Sequence, residues 1–86
     1  MTDYKKQKII EYLKSEGFKV SNNEPVETIV AHCNDEEIVI YEDGEIEISV
    51  DAGRVHGYSA IEDITIAMDH LTKTESEVRG ILDGTL

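Results

Sequence analysis

Between Lys19 and Arg54 the chain has no lysine or arginine, yet Glu24, Glu27, Asp35, Glu36, Glu37, Glu42, Asp43, Glu45, Glu47 and Asp51 put ten carboxylates there. Two kinds of chemistry are open to such a run. Pairs such as Glu45 and Glu47, or Asp43 and Glu45, work as general acid and base only inside a cleft that drives their pKa values apart. A chain of 86 residues is one small domain, 1–86, with little interior volume for such a cleft. Gathered on a surface, the same groups form a negative potential that attracts a basic partner and competes for a site that otherwise holds phosphates. The second chemistry needs no reactive side chain.

The remaining chemistry-bearing residues are sparse. His32 and Glu37 fall opposite each other if their strands form a hairpin, a pairing that moves protons or binds metal only with further ligands, and none is evident. Cys33 adjoins His32, but neighbours on a strand point to opposite faces, which excludes a nucleophile–base pair and makes Cys33 a core residue. The stretch from Asp51 to Ser59, with Gly53, Arg54, His56 and Gly57, leads into a helix start. It lacks the spacing and lysine of a P-loop and the three-glycine pattern of a dinucleotide fold, so it reads as a connection. No acidic run matches an EF-hand loop, and Tyr4, Tyr12, Tyr41 and Tyr58 are scattered and lack the basic neighbours of a base-stacking platform.

The elements that must position these groups follow from apolar spacing. Ile9, Ile10 and Leu13, with Tyr12 beside them, predict an amphipathic helix from about Asp3 to Glu16, ended by Gly17. A very short strand at Phe18–Lys19–Val20 follows, and then a polar loop, Ser21 to Pro25. Three strands are expected at about Val26 to Cys33, Glu37 to Tyr41 and Glu45 to Val50, joined by turns at Asn34–Asp35 and Glu42–Asp43–Gly44. A three-residue turn, with Gly44 in the left-handed position of a G1 bulge, pairs Ile40 with Ile46 and Ile38 with Ile48. That register puts Ile29, Ala31, Cys33, Ile38, Ile40, Ile46, Ile48 and Val50 on one apolar face, which helices must cover.

The opposite face then carries Val26, Thr28, Val30, Val39 and Tyr41 beside Glu37, Glu45 and Glu47, an apolar centre with an acidic rim. A second helix is predicted from about Ala60 to Leu71, with Ser59 and Glu62 as its capping box. Thr74 and Glu77 repeat that signature ahead of a short third helix ending before Gly84. The expected fold class is α+β: a small antiparallel sheet of three to four strands with helices packed on one face, in the order α-(β)-β-β-β-α-α.

Charge limits the function classes. The formal net charge is −11, divided unevenly: residues 1–19 hold five basic and three acidic side chains (+2), whereas residues 20–86 hold three basic and sixteen acidic (−13). Direct binding to nucleic acid or to anionic lipid requires the opposite sign. One cysteine cannot form an internal disulfide, which points to a reducing, cytoplasmic setting. The N-terminal residues turn amphipathic at once, and the longest aliphatic or aromatic run, Ile38 to Tyr41, is far too short for a membrane span.

The helix–strands–helix order resembles that of double-stranded-RNA-binding domains. Their phosphate contacts are missing from the last helix, where Lys73 and Arg79 stand alone. Size, acidic sheet and layout are also similar to those of some phage-encoded inhibitors that mimic DNA, including certain anti-CRISPR proteins; the likeness is one of charge and topology. The expected function is accordingly that of a non-enzymatic, acidic protein-binding inhibitor that mimics nucleic acid, without cofactor or metal, from a virus or mobile element and acting in the host cytoplasm. Asp35, Glu36, Glu37, Tyr41, Glu42, Asp43, Glu45 and Glu47 are the residues expected to occupy a partner's basic nucleic-acid-binding surface. The alternative is a small housekeeping interaction or homodimerisation module that uses Val30, Val39 and Tyr41, with acid serving solubility only.

Overall fold

The computed structural model describes residues 2–23, 28–50 and 60–84. The first helix, α1, spans Asp3–Ser15, with the Thr2 hydroxyl accepting from the Lys5 amide at its start (3.2 Å). At its end Gly17 takes a φ of 91°. The Phe18 amide donates to the Leu13 carbonyl and the Gly17 amide to the Lys14 carbonyl, the paired bonds of a Schellman cap. The cap turns Phe18 back onto Leu13, and both are buried.

Four antiparallel strands follow as a meander: β1 (Lys19–Asn23), β2 (Thr28–Cys33), β3 (Glu36–Ile40) and β4 (Ile46–Val50), in the spatial order β1-β2-β3-β4. The fold is α+β, a four-stranded antiparallel sheet between two helices in sequence. The first strand is longer than its alternation suggests. Ser21, Asn22 and Asn23, expected in a loop, pair with Val30, Ile29 and Thr28. An edge strand is held by its ladder on one side alone, so polar side chains do not prevent it. Val26 and Glu27, expected in β2, lie outside the described residues, as do Pro25, the connection from Asp51 to Ser59, and with it the Ser59 cap.

The hairpin register agrees with expectation: Ile40 pairs with Ile46, Ile38 with Ile48, and Cys33 with Glu36. Gly44, at φ 92°, donates to the Tyr41 carbonyl, and the Tyr41 amide donates to Glu45, which closes the bulged turn. A side chain at Gly44 meets nothing within 4 Å, so substitution there is opposed by backbone strain alone. Gly44→Ala is expected to lower stability by about 1–2 kcal/mol, read as a lower urea midpoint. A midpoint equal to the parent's would show that the turn does not need the left-handed conformation. At the other hairpin Asn34 occupies the left-handed region at φ 52°, which asparagine tolerates better than most residues.

The second helix, α2, runs without a break over Ala60–Asp83. This corrects the expectation of two helices. Thr74, expected to cap a third helix, is 1% exposed, and its hydroxyl donates to the His70 carbonyl one turn earlier (2.8 Å). A threonine bonded backwards in this way is inside a helix. The break was not needed because Met68, Leu71, Thr74, Val78 and Ile81 form one continuous stripe at helical spacing. The helix ends at Gly84, where φ is 76°. No lysine or arginine stands in its last turn, and Lys5 from α1 supplies the cation, its Nζ donating to the Leu82 carbonyl (2.6 Å).

Among the described residues the core consists of Ile9, Leu13, Phe18, Ile29, Ala31, Ile38, Ile40, Leu71 and Val78, with Ile46, Ile48 and Val50 partly buried against it. Both helices therefore cover the same sheet face. Arg79 reaches the Gly44 carbonyl (3.0 Å), while His70 reaches Glu36, the cross-strand partner of Val50, so α2 runs antiparallel to β4. No helix among the described residues is long and apolar enough to cross a membrane.

Candidate functional site

Strand pairing builds the face that neither helix covers as a grid. One row crosses the sheet as Lys19, His32, Glu37 and Ser49, and the next as Ser21, Val30, Val39 and Glu47. Val30 and Val39 are half-buried at the centre, whereas His32, Glu37, Glu45 and Glu47 are exposed around them. Tyr41 completes the apolar part at the bulged end. Its hydroxyl hydrogen-bonds the Glu47 carboxylate, and that bond, with burial and the charges of Glu47, Glu45 and Asp43, raises the phenol above its ordinary value of 10. The charge is graded: three carboxylates lie on the β3–β4 side and Lys19 on the β1 edge.

Of the residues expected to form the acidic site, Glu37, Tyr41, Glu45 and Glu47 are brought together on this face. Glu36 is not. Its parity is that of Ile38 and Ile40, so its side chain turns under the helices, where it is 14% exposed and holds His70 Nδ1 at 2.5 Å. Asp35 sits in the β2–β3 turn, and Glu42 and Asp43 sit in the β3–β4 turn, about seven strand rises or ~23 Å away along the sheet. The turn acids thus bracket the face at its two ends. Glu45 and Glu47 are themselves ~6–7 Å apart, against one phosphate per ~3.4 Å on a single DNA strand. This face offers a field and an apolar patch, and its carboxylates do not follow the phosphate spacing.

The two ends differ. At the Asp35 end a cleft of about 350 Å³ is lined by His32, Asn34, Asp35, Glu36, Glu37, Ser49 and Val50. At the Gly44 end a cleft of about 500 Å³ mixes Glu42, Asp43 and Asp83 with Lys5 and Arg79. Both cations there already donate to main-chain carbonyls, and the Asp43 carboxylate accepts from the Glu45 amide (2.9 Å). That end is locally mixed in sign and is held together by the turn and the helix terminus.

His70 carries the arrangement that sequence reasoning missed. Its ring stacks on Phe18 with centroids 5.8 Å apart and planes inclined by 15°. Nδ1 meets Glu36, and Nε2 lies 4.0 Å from the Glu16 carboxylate at the end of α1. One imidazole therefore ties α2 to β3 and to the end of α1. Close by, Tyr12 is raised above its ordinary value, first by burial and then by the charges of Glu16 and Glu77, against a hydrogen bond with Thr74. Carboxylates flank both ring nitrogens, which is the geometry of a structural cross-link. Cys33 is partly buried on the same sheet face as Glu36. Among the described residues no group of three or more His, Cys, Asp or Glu is arranged to hold a metal ion.

The one signal that pointed to Glu36 was its parity with Ile38, and nothing local pointed to His70. In comparison with known proteins, the chain matches no family model, no curated protein and no solved structure at a significant level.

Proposed function

We propose that this protein is a non-enzymatic, acidic protein-binding inhibitor that uses its open sheet face to occupy a basic, nucleic-acid-binding surface of a partner in the cytoplasm. One observation supports this reading above the others: Glu37, Glu45 and Glu47 share with Val30, Val39 and Tyr41 the single sheet face that neither helix covers. An apolar centre supplies contact area and the acidic rim supplies attraction and orientation. Occupation is competitive by charge and does not need a phosphate-by-phosphate match. The likeness of charge and topology to phage-encoded inhibitors that mimic DNA adds to this reading, and a viral or mobile-element origin belongs to this proposal.

The test is capture of a basic protein at low salt, elution as salt rises, and competition of the captured complex with DNA or RNA. Glu45→Lys with Glu47→Lys is expected to weaken binding by roughly tenfold or more, because each rim position turns from attraction to repulsion. Binding indifferent to salt and to both reversals ends the proposal. The half-buried Val30 and Val39 favour one second reading, homodimerisation through this face. Under that reading sedimentation shows a dimer that Tyr41→Asp breaks and the glutamate reversals leave intact.

A further inference from the structure

The two edges of the sheet are not alike. The β1 edge carries Lys19 and polar side chains, and a lysine on an edge discourages further pairing. β4, Ile46–Val50, pairs with β3 alone among the described residues and has no lysine, proline or bulge. Its side chains alternate cleanly: Glu47 and Ser49, with Glu45 just before the strand, lie on the open face, and Ile46, Ile48 and Val50 lie on the helix side. Those three remain only partly buried, whereas Ile38 and Ile40 on the neighbouring strand are fully buried. An added strand would finish their burial.

Self-association fits this edge less well than a basic strand does. Symmetric antiparallel pairing of two β4 strands must centre on Ile46, Glu47 or Ile48. The registers centred on Ile46 and Glu47 set Glu47 opposite Glu45 or opposite itself, and the fully overlapping register centred on Ile48 sets Glu47 opposite Ser49 with the two Glu47 on diagonal positions. Like charges directly opposite one another destabilise a strand pair. A strand with lysine or arginine opposite Glu45 and Glu47, and apolar residues at the alternating positions beside Ile46 and Ile48, meets both faces of the edge with complementary chemistry.

We propose that β4 is a β-augmentation site for an extended basic segment of the partner, alternating lysine or arginine with apolar residues. This rests on the acidic-binder reading above and adds main-chain hydrogen bonds to it. Side-chain charge then selects the segment and main-chain hydrogen bonds along the outer edge of β4 hold it.

The experiment uses the full chain and a blocked seven-residue peptide alternating lysine and valine. Two N-methylated isomers of that peptide carry their methyl groups on alternate amides, so that each blocks one of the peptide's two hydrogen-bonding edges. Amide NMR shifts and exchange are expected to change at residues 46–50, and one isomer is expected to bind at least roughly tenfold more weakly than the other. Equal binding of the two isomers overturns augmentation and leaves charge-driven binding standing. Shifts centred on β1, or no binding up to about 1 mM peptide, also overturn it. So does a peptide-sensitive dimer through β4, which would make a second copy the occupant. The broader reading fails separately, through indifference to salt and to charge reversal.

Discussion

Ile38→Ala is expected to destabilise the domain by about 3–5 kcal/mol, the upper part of the range for removing three carbons from a closed core. Ile38 is fully buried on a central strand, between Ala31 on β2 and Ile48 on β4. Ala31 is too short to fill the space, and α1 and α2 close the face from above. The void therefore persists and its lining loses dispersion contacts outright. A domain of this length has only roughly 4–13 kcal/mol of stability in total, so the variant is expected to be partly unfolded in mild denaturant. Urea titration should give a much lower midpoint with an unchanged slope, and Ile38→Val should cost only about 1 kcal/mol. If Ile38→Ala behaves like Ile38→Val, the sheet is not packed against the helices as described.

His70→Ala is expected to cost about 2–3 kcal/mol, although His70 itself is a third exposed. The cost arises mainly at Glu36. With its side chain 14% exposed, that carboxylate keeps little contact with water and loses the imidazole at 2.5 Å. The stack on Phe18 is lost as well. A double-mutant cycle separates these contributions. Glu36→Gln in the His70→Ala background should restore part of the loss, because a neutral amide is less costly to bury unpaired than a carboxylate. Strict additivity of the two substitutions, measured by chemical denaturation, would show that His70 and Glu36 do not act together.

Much of this architecture was legible in the residues. Gly17 and Gly84 mark helix ends because only glycine takes a positive φ there without strain. The alternation in Ile38–Val39–Ile40 and Ile46–Glu47–Ile48, with Gly44 at a bulge, leaves one register that turns all four isoleucines to the helix side. The same parity already assigned Glu36 to the buried face, and its charge alone had placed it with the surface acids. The stripe from Met68 to Ile81 likewise spans the point where Thr74 and Glu77 suggested a new helix. A capping signature has meaning only where the backbone leaves amides free, and Thr74 lies where it does not.

Other features were not legible locally. Ser21, Asn22 and Asn23 form a strand because β2 offers them a ladder, not because of their own propensity. His70 and Glu36 are 34 residues apart, and no spacing rule connects them.

Periodicity, turn residues and the sign of the charge reside in short stretches of chain, so the α+β class, the hairpin register and the surplus of acid could be read directly. Which carboxylates stand together is a different matter. It depended on how two helices close over one face, drawing Glu36 beneath them and leaving Glu37, Glu45 and Glu47 around Val39. Contacts between elements distant in sequence decide that partition, because a side chain's charge belongs to the residue while its exposure belongs to the packing around it.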